Sequence, residues 1–338
     1  MTMPSATPGS ESPLLELRDL QVEFRTREGT AKAVNGASYT LHPGETLAVL
    51  GESGSGKSVT AQAIMGILDS PPGFVTGGQV LFDGEDLLAM TDEARRGLRG
   101  ESIAMVFQDA LSSLNPVFPV GWQIAELFRI HRGMSRKDAM AQALEALERV
   151  NIPAAKERIG DFPHQFSGGM RQRVMIAMAI ALHPEILIAD EPTTALDVTV
   201  QAQILELMAE LQREENMGMI LITHDLGVVA EVADKVAVMY AGRIVEQASI
   251  REMFDSPSHP YTVGLMDSIP SLETKSGELK AIKGLPPSLV ALPPGCSFAP
   301  RCPLAFDLCH REEPPAVEVG PGRTSRCHIA QEVHDGRR

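Results

Sequence analysis

The chain has 338 residues, 43% of them hydrophobic and 4% aromatic, with one Trp, so core volume must come mainly from Leu, Ile, Val, Ala and the 16 Met. Its formal charge is −14, from 30 Lys and Arg against 44 Asp and Glu, and a polyanion such as nucleic acid is ordinarily held by a basic surface, so this balance argues against that partner. No apolar run reaches the roughly 18–20 residues that a membrane-crossing helix needs.

Residues 1–13 are rich in Ser, Thr and Pro and lack a basic start followed by an apolar stretch. They read as a disordered tail rather than a secretory signal. Short strands are predicted at Leu15–Leu17, Val22–Phe24, Ala37–Leu41 and Thr46–Leu50, with turns at Gly29 and Pro43-Gly44. The last strand is continuously apolar, as a fully buried strand is, and runs into a glycine loop with a helix starting near Lys57. Strands follow at Val80–Phe82 and Ile103–Phe107, the latter ending at Gln108. From Gly121 to Val150 the period becomes helical, with Ala139, Ala143, Leu144, Leu147 and Val150 on one face. A further helix starts near Ser167, which suits an N-cap, and carries Val174, Met178 and Ala181 inward. Then come a strand at Glu185–Asp190, a helix at Val200–Glu214, a strand at Met219–Thr223, and two short strands at Lys235–Tyr240 and Arg243–Val245 around Gly242. Beyond about residue 250 the prolines leave little room for long helices.

Gly51-Glu52-Ser53-Gly54-Ser55-Gly56-Lys57-Ser58 matches G-x-x-x-x-G-K-[ST] between a strand and a helix. The glycines allow backbone N–H groups to turn toward phosphates, and the helix N-terminus adds partial positive charge. Lys57 suits the β- and γ-phosphates, and the Ser58 hydroxyl suits Mg²⁺. Val59 completes the ATP-binding run Gly51–Val59. Asp190-Glu191 ends an apolar strand, where carboxylates can hold Mg²⁺ and activate water. His224 follows the strand Leu221–Thr223 and is placed to contact the γ-phosphate. Gln108 is placed to reach Mg²⁺ and the attacking water. Ser167-Gly168-Gly169 feeds a helix and reads as a second phosphate-binding surface.

Taken in order, Gly51–Ser58, Gln108, Ser167-Gly168-Gly169, Asp190-Glu191, Ala195-Leu196-Asp197 and His224 resemble a complete ATP-binding cassette (ABC) ATPase over residues 14–250. The resemblance implies an α/β, P-loop fold: a RecA-like core, an antiparallel β subdomain, and a helical subdomain over about 115–180. It implies that Asp190 joins Ser58 and Gln108 on Mg²⁺ and that Glu191 is the general base. It also implies that Ser167, Gly168, Gly169 and Met170 contact the ATP of a partner subunit, that Asp197 links the two sites, and that Phe24 stacks on adenine. Met170 replaces the Gln that generally ends this motif.

A narrower resemblance joins Ser112-Ser113-Leu114-Asn115-Pro116, the Phe-Ser-Gly-Gly-Met form, Ser258-His259-Pro260-Tyr261-Thr262, Gly264-Leu265-Met266 and Ser268-Ile269-Pro270 to the oligopeptide/dipeptide importer ATPases. It implies ATP-driven uptake of di- or oligopeptides from the cytoplasmic face of the cell membrane. The implied partners are a second, paralogous ABC ATPase, two transmembrane permeases and an extracytoplasmic peptide-binding protein. The region around 115–165 would meet the permeases. Importers of nickel or glutathione, exporters, and soluble ABC proteins acting on DNA or ribosomes are the alternatives. A single cassette, the absence of sustained heptads and the acidic charge disfavour the last of these.

Residues 251–338 form a Pro-rich extension holding all four cysteines, Cys296, Cys302, Cys309 and Cys327, spaced C-x5-C-x6-C-x17-C. A cytosolic chain disfavours stable disulfides, and the lack of a C-x-x-C pair suits a zinc ribbon poorly. Four thiolates at irregular spacing can hold a [4Fe–4S] cluster, and the peptide-importer resemblance favours one. Zinc and free or paired thiols remain open.

Overall fold

A computed structural model of the chain describes residues 12–109, 113–194, 196–268 and 282–337. Residues 1–11 of the proposed tail, Ser112, Ala195 and Ile269-Pro270 lie outside the described residues.

The predicted short strands at the start fuse into two long ones. β1 (Leu15–Thr26) pairs antiparallel with β2 (Gly29–Leu41). Register shifts between Leu17 and Leu20 and again near Val22 mark irregularities that the sequence pattern shows as gaps. β4 (Gly73–Phe82) pairs with the other edge of β1, and β5 (Glu85–Asp86) completes a sheet of order β2-β1-β4-β5. This is the antiparallel β subdomain, and its inward side chains Leu15, Leu17, Leu20, Val22 and Val80 are all but inaccessible.

The second sheet has the order β11-β12-β10-β9-β3-β8-β7-β6. Its centre is parallel: β6 (Ile103–Val106), β7 (Ile186–Asp190), β8 (Gly218–Thr223), β3 (Thr46–Leu50) and β9 (Lys235–Tyr240) run alongside one another. Every residue of β3, β7 and β8 is buried, which explains their unbroken apolar sequences. The phosphate loop and the Asp190-Glu191 pair therefore leave the C-terminal ends of two parallel strands, β3 and β7, that flank β8, the end of the sheet where ligands bind in open α/β folds.

The helical region comprises Val120–Arg132 and Arg136–Arg149, joined through Gly133 in the left-handed conformation. Ser135 caps the second helix by accepting from the Asp138 N–H. Ala139, Ala143, Leu147 and Val150 are buried as the periodicity predicts, joined by Ala146, while Leu144 is only partly covered. They share a core with the helix Gly168–Ile180.

The part beyond residue 250 is built onto the core sheet. β12 (Arg323–Ser325) pairs antiparallel with β10 (Arg243–Ser249), and β11 (Val317–Gly320) pairs with β12. Its helices are short, as the prolines require: Ile250–Asp255, Pro260–Asp267, Asp307–Arg311 and Ala330–His334. Tyr240, Tyr261 and Phe298 cluster with centroids 4.6 to 5.3 Å apart, each large ring contributing about 2 kcal/mol of apolar burial. Beside them the wholly buried Glu246 accepts from the Ser258 N–H and hydroxyl, both at 2.7 Å, and from the His259 N–H at 2.9 Å. Buried Arg323 faces it at 3.5 Å. A desolvated ion pair of this kind holds only because the remaining lone pairs are occupied.

Candidate active site

The loop between β3 and the helix Lys57–Met65 wraps around its own lysine. Lys57 Nζ donates to Gly51 O at 2.7 Å and to Glu52 O at 3.0 Å. Burial pushes its pKa down, and Glu191, Asp190 and Glu52 pull it back up. Gly51 and Gly56 are demanded by sterics: a Cβ at Gly51 would sit 2.2 Å from Met239 O, and one at Gly56 2.3 Å from Ala33 O. Gly56 also caps the helix at φ 109°, a conformation that side-chain-bearing residues rarely adopt.

A cavity opens above this loop. Ser53 to Val59 line it, together with Phe24, Ala31, Ala33, Gln108, Glu191, His224 and Leu289. Gly51 and Glu52 do not: Gly51 backs onto β9, and the Glu52 side chain turns to Arg301. Phe24 of β1 lines the cavity together with the small side chains of Ala31 and Ala33 on β2.

At the floor, Ser58 Oγ donates to Asp190 Oδ1 at 2.9 Å. Burial pushes the Asp190 carboxyl up, partly offset by that hydrogen bond. A buried carboxylate touching a hydroxyl offers hard oxygen donors of the kind Mg²⁺ takes. The next residue, Glu191, adopts φ 46°, an uncommon conformation for a non-glycine residue and one that swings its side chain out of the strand line. Its Oε2 accepts from Gln108 Nε2 and from Thr194 Oγ1, each at 2.9 Å, and its Oε1 lies 3.5 Å from His224 Nδ1. Glu191, Gln108 and His224, separated by long stretches of sequence, meet around one carboxylate.

Ser167 accepts from the Met170 N–H at 3.4 Å and so caps the helix Gly168–Ile180. Gly169 lets this turn pack on the next helix, since a Cβ there would lie 2.6 Å from Val200 Cγ1. That close approach sets the turn beside Asp197, which caps the helix Val198–Glu215 through Val200 N–H. Ser167, Gly168 and Asp197 are exposed, and none of Ser167–Met170 lines the phosphate cavity. Met170 packs partly into the helical core, and its sulfur accepts from Arg158.

A family model described as ABC transporter matches residues 34–194, and one described as oligopeptide/dipeptide transporter, C-terminal region, matches residues 245–309. The dipeptide transport ATP-binding protein DppD of Bacillus subtilis is 52% identical over 313 residues, 93% of this chain and 91% of that protein. The chain belongs to the ABC transporter family. Within it the chain is an ATP-binding subunit of the oligopeptide/dipeptide type. The oligopeptide transport ATP-binding protein OppD of Salmonella typhimurium is likewise 50% identical over 314 residues, 93% of each chain. Among solved structures, a dimeric ATP-binding cassette in a post-hydrolysis state bound to ADP and Pi superposes with a TM-score of 0.63 at 27% identity, covering 70% of this chain and 99% of that one. CbiO1 of Clostridium perfringens, part of an ABC transporter complex, gives 0.62 at 30% identity, covering 72% and 91%.

Several residues of this ABC site escaped the sequence reading. Thr194 sits three residues beyond Glu191, close enough in sequence that a hydroxyl after a strand-end carboxylate was the available signal. Leu289 reaches the cavity and Arg301 the loop from the extension, more than 200 residues away, with no local pattern to mark them, and the motif that contains Tyr261 gave no sign that its hydroxyl meets Glu52 N–H. The four cysteines ring one small cavity with His259, Pro260 and His328. None of the four is joined in a disulfide. Burial, then mutual repulsion, pushes Cys327 up to about 12, and burial also raises Cys296 and Cys302. Among the described residues no three His, Cys, Asp or Glu donors stand where they would hold a metal ion. No described helix is long and apolar enough to cross a membrane.

Proposed function

We propose that this chain is the ATP-hydrolysing subunit of an importer for di- and oligopeptides, acting as a peripheral protein on the cytoplasmic face of the cell membrane. The meeting of Gln108 and His224 on Glu191, beside the Ser58–Asp190 pair, carries the proposal. The match of its C-terminal region to the oligopeptide/dipeptide transporter family supports peptides over nickel or glutathione as cargo.

The residues divide the work as follows. Phe24 stacks on adenine. The loop N–H groups and Lys57 hold the phosphates. Ser58, Asp190 and Gln108 are the residues that would hold Mg²⁺, which supplies charge neutralisation between the β- and γ-phosphates. Glu191 takes the proton of the attacking water, Gln108 and Thr194 fix its carboxylate, and His224 contacts the γ-phosphate from the open side. Ser167, Gly168, Gly169 and Met170 face the ATP of a second, paralogous ABC subunit, with Asp197 linking the two sites. Exposed apolar residues at the helical region, Val117 at 69% and Ile130 at 68%, with Phe118 stacked on Trp122 at 4.2 Å, form the surface we assign to the two permeases. A peptide-binding protein outside the membrane completes the system.

The thiol cavity fits an iron–sulfur cluster in its donor set. Four cysteines line one small cavity, and four thiolates are the ligand set that such a cluster takes. Cys296, Cys302, Cys309 and Cys327 would hold the cluster, which would brace a Pro-rich extension whose helices are all short. Iron analysis and a visible spectrum of anaerobically purified protein test this, and colourless, iron-free protein rejects it. For the function itself, tagged protein should co-purify with two polytopic membrane proteins, and its deletion should abolish peptide uptake while sparing nickel uptake. Recovery with ribosomes or DNA would overturn the importer reading.

A further inference from the structure

Glu52 is an acidic residue inside a loop built for anions, and every polar group it owns is engaged. Its carboxylate accepts a two-pronged pair from Arg301: NH1 to Oε2 at 2.7 Å and NH2 to Oε1 at 2.9 Å. Its N–H donates to the Tyr261 hydroxyl at 3.0 Å. Its carbonyl accepts from Lys57 Nζ and from the Ser55 N–H. Arg301 and Tyr261 both belong to the extension. The Arg301 side chain is only 5% exposed. It is pinned by the Lys283 carbonyl and the Tyr240 hydroxyl, and its guanidinium lies over the Tyr240 ring. The turn Ala299–Arg301 that presents it is closed by backbone bonds from Ala299 N–H to Cys296 O and from Cys302 N–H to Ala299 O.

We infer that Arg301 is a positioning residue of the phosphate loop, through which the C-terminal extension sets the affinity of the site for ATP. Two physical effects combine. The planar fork fixes Glu52, and Glu52 O in turn fixes Lys57, so the lysine is held ready before phosphates arrive. The guanidinium also neutralises a carboxylate that would otherwise repel a polyphosphate a few residues away. The other seven residues of the loop cannot supply either effect, because among them Lys57 is the sole cation and it is committed to the ligand.

The inference rests on the ATPase reading, and one variant separates the two. Lys57→Ala in the full-length chain should abolish measurable ATP binding, and if it binds ATP like the wild type the ATPase reading fails whatever Arg301 does. With that control in place, equilibrium titration of the full-length chain with ATP should show Arg301→Ala weakening binding roughly tenfold or more, the effect expected when a charge-assisted pair is broken. Arg301→Lys, which keeps the charge and loses the fork, should fall between the two. In the assembled transporter the loss should appear in KM rather than in kcat. Glu52→Gln should remove most of the penalty of Arg301→Ala, because the repelling charge is gone. A purely structural role would lower Tm equally in both backgrounds and leave the affinity alone. If Arg301→Ala fails to fold, Arg301→Gln, which removes the charge at similar volume, alone and combined with Glu52→Gln carries the same comparison. Affinities within twofold of wild type, or a penalty that Glu52→Gln does not relieve, overturn the inference.

Discussion

Two glycine-bearing turns of this molecule, both of which we propose meet phosphate, are built in opposite ways. The loop at Gly51–Ser58 is tied from every side: to β9 behind it, to Asp190 beneath it, to Arg301 and Tyr261 of the extension. The turn at Ser167–Gly169 is held by one capping bond and by its packing on Val200, and it faces outward. The first surface is finished within the chain. The second is exposed and lines no part of that cavity, as half of the composite site we propose would be.

That contrast can be broken at its most active point. Glu191→Gln keeps the shape and the Gln108 contact but removes the base, so hydrolysis in the assembled complex should fall about 10³-fold while ATP stays bound, as single-turnover assays would reveal. Normal turnover would move the base elsewhere. Next in size, Gly51→Ala forces a Cβ against the Met239 carbonyl at 2.2 Å, and thermal denaturation should report a loss of roughly 3 kcal/mol. Ser167→Arg puts a large cation on the exposed turn. It should leave the ATP affinity of the isolated chain within about twofold, since the turn lies outside that cavity, yet abolish ATP-dependent pairing in sedimentation. An equal loss of affinity in the isolated chain would erase the distinction between the two surfaces. Smallest of all, Gly168→Ala meets nothing closer than Leu196 Cδ2 at 3.7 Å, so stability should shift by less than about 0.5 kcal/mol while the cross-chain surface narrows. The two glycine substitutions, chemically identical, thus separate a glycine required by its own fold from one kept for a neighbour.

The parallel core was legible because burial on both faces leaves an unbroken apolar signature, as in Leu47–Leu50 and Leu187–Ala189, and these strands lead directly into the glycine loop and the Asp190-Glu191 pair. β1 was harder. Its irregular pairing near Leu17 and Leu20 breaks the alternation, so one strand of 12 residues reads as two short ones. The helical region reads as a single period over Gly121–Val150, whereas the chain stops at Gly133 and restarts behind the Ser135 cap. In the site, Gln108, Glu191 and His224 were visible because each follows a recognisable strand. Leu289 and Arg301 were not, because the extension has almost no periodic structure to anchor a prediction, and their partners are fixed only by long-range packing. Glu246 and Arg323 make the same point: isolated charges in sequence, they become a buried pair once β12 meets β10.

That last pairing has a consequence for how the protein is made. The outer edge of β10 is paired with Arg323–Ser325 and accepts the Arg326 N–H at Val245 O, all of them supplied from much later in the chain. Until then a hydrogen-bonding strand edge at the rim of an otherwise completed sheet remains available to other nascent chains. Any fragment ending near residue 250, a natural choice for isolating the ATPase, would carry that open edge permanently and should tend to self-associate.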